Sequence, residues 1–73
     1  MKIGVFDSGK GGLAVAEALA ALLPDAEIIT TDDHAHVPYG ARPAEEIIAL
    51  TTAAIQPLLG ASCDVIVIAC NTA

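Results

Sequence analysis

The chain has 73 residues, 55% of them apolar and 16% charged, with a formal net charge of −6. Only Lys2, Lys10 and Arg42 are positive, so no basic stripe exists to grip nucleic-acid phosphates. No apolar run reaches the roughly 18 residues of a transmembrane helix, and Met1-Lys2 leads into a strand pattern rather than a signal peptide.

So short a chain buries a modest share of its surface. Its high apolar content predicts a piece of a larger layered domain, with faces that pack on something outside these residues. The two cysteines, Cys63 and Cys70, fit no C-x-x-C metal spacing. A cytoplasmic, reducing location is the default expectation.

In chain order, Lys2 to Phe6 is a short apolar run and predicts strand one. Asp7-Ser8-Gly9-Lys10-Gly11-Gly12 is a glycine-rich turn. Leu13 to Leu23 predicts a helix whose inward face carries Leu13, Ala16, Leu19 or Ala20, and Leu23. Pro24-Asp25 ends it. Ala26 to Thr30 predicts strand two. Thr31 to Arg42, rich in Asp, His, Pro and Gly, predicts a polar loop without regular structure. Pro43 opens a second helix with Glu45 and Glu46 in its first turn, where the helix dipole favours acid. Its apolar face runs through Ile47, Ile48, Thr51, Ile55 and Leu58 or Leu59. Pro57 should kink or loosen the last turn, and Gly60 should stop it. Asp64 to Ala69 predicts strand three.

The order β-α-β-α-β has crossovers long enough for parallel strands. The predicted fold is α/β, a three-layer unit with a parallel sheet of order 2-1-3, part of a larger doubly wound domain. That order makes the tips of strands one and three neighbours at the topological switch point. Those tips carry Asp7-Ser8 and Cys70-Asn71-Thr72.

Three groups could carry chemistry. The glycine turn is either a plain strand-to-helix turn or an anion cradle of backbone N–H groups. It reads G-K-G-G, which fits neither the dinucleotide fingerprint nor a P-loop. Cys70 ends an apolar strand and precedes Asn71 and Thr72, two good helix-capping residues. A cysteine so placed is either an inert core residue or a thiolate favoured by a helix N-terminus. Cys63 has no such setting and reads as packing or incidental. In the polar loop, Asp32, Asp33, His34 and His36 make a weak metal cluster with no partner elsewhere, and no metal site is expected. Val37-Pro38-Tyr39-Gly40 is more telling. Proline stiffens the chain, tyrosine offers a hydroxyl on a rigid ring, and glycine admits a ligand to the backbone.

Three segments together resemble the amino-terminal part of glutamate racemase, in the cofactor-independent aspartate/glutamate racemase superfamily. They are Ile3 to Leu13 (I-G-V-F-D-S-G-K-G-G-L), Val37 to Gly40 (V-P-Y-G), and Val67 to Ala73 (V-I-A-C-N-T-A). The resemblance implies that residues 1–73 are the amino-terminal part of the first racemase domain, the rest of that domain and a second one lying outside this chain. It implies that Cys70 is the first of two catalytic cysteines and that Asp7 assists its proton transfer. It implies that Ser8, Asn71 and Thr72 hold substrate, and that Tyr39 and Gly40 hold its carboxylate. It further implies racemisation of L- to D-glutamate for peptidoglycan, with no cofactor. A homodimer is common among such enzymes, but nothing in these residues marks an interface. The loop departs from the family where Asp33-His34-Ala35-His36 stands for the more usual Asp-Thr-Ala-Arg. The second cysteine is not in this chain, so these residues alone should not racemise glutamate. The alternatives are an aspartate or hydantoin racemase of the same superfamily, a non-catalytic α/β anion-binding fragment, or a remnant with a structural role.

Overall fold

The structure is a computed structural model and describes residues 1–8 and 12–69. The elements are β1 (Lys2–Asp7), α1 (Gly12–Leu22), β2 (Glu27–Asp32), α2 (Ala44–Ala54), α3 (Gln56–Gly60) and β3 (Val65–Ile68). Two single 3₁₀ turns, His34–His36 and Tyr39–Ala41, lie between β2 and α2. The sheet is parallel with order β2-β1-β3, as the sequence predicts.

β1 is central, so both its faces are covered. Alternate residues point to opposite sides of a strand. Ile3 and Val5 pack on Ala16 of α1, with Val15, Leu19, Ile28 and Val67 around them. Phe6 packs on Leu58 of α3 and on Tyr39, with Ile29, Ile47, Ile55 and Ile66 around them. The helices therefore divide between the two faces, giving three layers. Gly4 lies where the second face is tightest. A Cβ there would stand 3.0 and 3.1 Å from the two Leu58 methyls and 3.1 Å from Cys63 Sγ. Cys63 is a free, half-buried thiol that packs against this cluster, in line with its expected role.

Three expectations need correcting. In α1 the inward stripe is Val15, Ala16 and Leu19, while Leu13 and Leu23 are exposed. At about 100° per residue Leu13 sits roughly 120° round the helix from Leu19. Leu23 follows the last helical residue. Glu17, the one charged residue of the helix, marks its outer side: Leu13 lies about 40° round the helix from it, and Val15 and Leu19 about 160°. Secondly, β2 extends through Thr31 and Asp32 because β1 runs on to Asp7. Thr31 and Asp32 are in register with Phe6 and Asp7. The rest of the loop is not irregular, since it contains the two turns. Thirdly, the inward face of α2 is Ile47, Leu50, Thr51 and Ala54, with Ile48 exposed.

The effect of Pro57 is a clean break. α2 stops at Ala54, and Pro57 falls in the first turn of α3. Proline supplies no N–H for an interior position but suits the first turn. The Ile55 carbonyl accepts from both Leu58 and Leu59 N–H, so it starts the new helix. α3 ends at Gly60, as expected, and the left-handed residue that turns the chain into β3 is Ser62, with φ 61°.

Candidate functional site

The carboxyl ends of β1 and β3 meet side by side. Phe6 is in register with Ile68, and Ala69 N–H donates to Phe6 O at 2.7 Å, one rung beyond the strand. Asp7 closes β1 and Ser8 follows it. Both are buried, with 8% and 9% of their surface exposed. Carboxylates and hydroxyls are seldom so enclosed, because burying a polar group is costly unless it is bonded. Their site is the switch point of the sheet, where ligands of open α/β folds bind. Cys70, Asn71 and Thr72 come next in sequence after Ala69 and lie outside the described residues.

Tyr39 and Gly40 sit in the second 3₁₀ turn. The Tyr39 ring is 2% exposed and leans on Phe6, with centroids 6.4 Å apart and planes at 42°. Offset aromatic pairs of this kind add about 0.5–1.5 kcal/mol to simple burial. Phe6 directly precedes Asp7, so this ring ties the turn to the end of β1. Gly40 is exposed, with no atom within 4 Å of the place a Cβ would take. Its backbone is open to approach.

The sequence gives no hint of what holds this turn. Tyr39 OH donates to Asp33 Oδ2 at 2.7 Å. His36 Nδ1 lies 2.7 Å from Asp33 Oδ1. Arg42 Nε donates to the His36 carbonyl at 2.9 Å, and the Arg42 guanidinium also bonds Glu46 in the first turn of α2. Burial alone would push the Asp33 carboxyl up. The hydrogen bonds from His36 and Tyr39, with the charges of His36 and Arg42, outweigh it and hold Asp33 below the ordinary 3.8 of an aspartate. Asp33 and Tyr39 are six residues apart in a stretch without period, so no pattern rule pairs them.

The residues weighed as a metal cluster are paired with each other: His34 Nε2 stands 3.2 Å from Asp32 Oδ2, and His36 bonds Asp33. Among the described residues no three His, Cys, Asp or Glu side chains gather as a metal site. Among the described residues no helix is long and apolar enough to cross a membrane. An apolar groove of about 430 Å³ runs between α2 and the end of β3, past Ile47, Ile48, Thr51, Ile55 and Ile68. It is not lined by Asp7, Ser8 or Tyr39.

No protein-family model matches the chain, and no solved structure does. Curated proteins do. The chain is 51% identical over all 73 residues to the glutamate racemase of Jannaschia sp., covering 27% of that protein. It is 49% identical over its full length to the glutamate racemase of Paracoccus denitrificans, again 27% of the relative. To that of a Caulobacter species it is 55% identical, over 26% of the relative. The chain thus spans about a quarter of the length of the curated relatives it matches, and that quarter is their amino-terminal one. All three relatives are named glutamate racemases, and it is their amino-terminal portion that this chain is similar to from end to end.

Proposed function

We propose that the chain supplies the first half-site of a cofactor-independent glutamate racemase, an isomerase that interconverts L- and D-glutamate for peptidoglycan. The observation that carries this reading is the identity of about half of all 73 residues to enzymes named glutamate racemase. Residues 1–73 are then the amino-terminal part of the first racemase domain.

Racemisation at an α-carbon needs two acid/base groups, one on each face. A single group can only return the proton to the face it left. In this reading the Cys70 thiolate takes the α-proton from one enantiomer, and the pair of electrons left on carbon is held as a carbanion. A second thiol, from the remaining length of the protein, delivers its proton to the opposite face. The reverse reaction exchanges the roles. Asp7, enclosed at the end of β1, assists proton transfer at Cys70. Ser8, Asn71 and Thr72 hold the substrate. The open backbone at Gly40, beside Tyr39, receives its carboxylate. Hydrogen bonds and dipoles in a dry site stabilise the developing charge. A chain of net charge −6 can hold a dicarboxylate in this way because N–H and O–H donors, not lysines, meet the ligand.

The test is α-proton exchange of each glutamate enantiomer in heavy water with the full-length protein. Wild type is expected to racemise both. Cys70→Ala is expected to abolish racemisation, because one face loses its acid/base group. Racemisation that survives Cys70→Ala would overturn the two-thiol assignment. Turnover of aspartate or a hydantoin, with none of glutamate, would move the protein to another branch of the superfamily.

A further inference from the structure

The segment between β2 and α2 closes on itself through one carboxylate. Asp33 uses one oxygen for the Tyr39 hydroxyl and the other for His36, each at 2.7 Å. Its side chain is 14% exposed. Arg42 reaches back to the His36 carbonyl and forward to Glu46, so the far end of the segment is tied to α2. The Tyr39 ring is held on its other side by Phe6. The turn that carries Gly40 is therefore clamped between apolar contact with β1 and a charge-assisted bond to Asp33.

The bonds and charges around Asp33 outweigh the cost of enclosing its carboxylate, so the clamp stabilises the loop, but an apolar plug at Tyr39 would fill the same core without it. What the carboxylate adds is direction. A buried ring can rotate or slide among apolar neighbours, whereas a short bond to a fixed oxygen sets where its hydroxyl, and the backbone beside it, must lie. Among the described residues, Asp32 ends β2 and pairs with His34 in the first 3₁₀ turn, and Arg42 and Glu46 close the other side. Leu50, Ala53, Ala54 and Pro57 of the helices share the adjoining groove and carry no charge.

We propose that Asp33 is a positioning residue which, with His36, holds the Tyr39–Gly40 turn in the geometry that receives the substrate's carboxylate. The inference rests on the racemase reading above. Asp33 acts through Tyr39.

The experiment is steady-state kinetics on the full-length protein for Asp33→Ala, Asp33→Asn, Tyr39→Phe and the double variant Asp33→Ala with Tyr39→Phe, with thermal melts alongside. Asp33→Ala is expected to raise KM for both glutamate enantiomers about tenfold, with kcat changed far less, the pattern of lost ground-state positioning. Asp33→Asn keeps an acceptor for the Tyr39 hydroxyl and is expected to recover part of that loss. Tyr39→Phe keeps the ring in the core and removes only the bond, so it reports even if Asp33→Ala folds poorly. The double variant should be no worse than the poorer single one, because both remove the same link. Variants that melt earlier yet keep KM would show a merely structural clamp and overturn the proposal alone. A wild type that does not racemise glutamate would overturn the racemase reading and this proposal with it.

Discussion

Replacing Gly4 with alanine should destabilise the fold, and Leu58 should be the reason. The added Cβ would stand 3.0 Å from Leu58 Cδ1, 3.1 Å from Leu58 Cδ2 and 3.1 Å from Cys63 Sγ. Comfortable carbon contacts lie at about 3.5–4.0 Å, so roughly half an ångström is missing on each. Cys63 is half-buried and can yield. Leu58 cannot, since it is fully buried between Phe6 and Tyr39 and both its methyls face the intruder. Overpacking of this kind costs about 1–3 kcal/mol. Removing a flexible glycine from the unfolded chain returns about 0.5–1 kcal/mol. The net expectation is a loss of up to about 2.5 kcal/mol, read as a lower urea midpoint by far-UV circular dichroism with an unchanged slope. A double-mutant cycle isolates the cause. Leu58→Ala alone should cost about 2–5 kcal/mol by leaving a cavity. In the Gly4→Ala background it should cost at least about 1 kcal/mol less, because the new methyl enters that space. Costs that simply add, within about 0.5 kcal/mol, would refute the reasoning.

Two further outcomes concern Thr51 in the core and Asp33 in the loop. Thr51 Oγ1 is enclosed without a hydrogen-bond partner, so Thr51→Val should be neutral or stabilise by about 1 kcal/mol, and a clear loss in the same urea assay would reveal a bond the structure does not contain. Asp33 is held below its ordinary 3.8 in the folded state, so it binds a proton more readily when unfolded. Its contribution to stability is full above the unfolded value and fades as pH falls through the folded one. Acid unfolding of Asp33→Asn should therefore lose part of the pH dependence below about pH 4, and an acid limb parallel to that of wild type would contradict the assignment.

The sheet was readable because β1 and β3 are apolar runs bounded by turn residues, and because β-α-β-α-β leaves few ways to connect parallel strands. Pro57 and Gly60 announced the ends of helices for stereochemical reasons that hold anywhere. What was misread was orientation within α1, where leucine spacing pointed to Leu13 and Leu23 and the single charge of Glu17, which marks the outer side, outweighs it. The loop failed differently. Its polar composition hides Tyr39, one aromatic that plugs the core from outside the sheet, and Asp33, whose partners are chosen by the path of the chain in space. The neighbourhood of Asp7 and Ser8 was legible through strand order alone, since adjacent tips follow from topology. Cys70, Asn71 and Thr72 fall outside the described residues, and their place in the site rests on sequence.

The two outer strands of the sheet are chemically unlike. β2 begins with Glu27, ends with Asp32 and carries two isoleucines and two threonines between, whereas β3 reads Val-Ile-Val-Ile. Among the described residues neither has a neighbour on its outer side. An outer row of unpaired N–H and C=O groups invites another strand, and charge at the strand's ends discourages one. The charged ends of β2 discourage a further strand. β3 carries no such charge, so wherever it stands uncovered the net charge of −6 on these 73 residues is what keeps like chains apart.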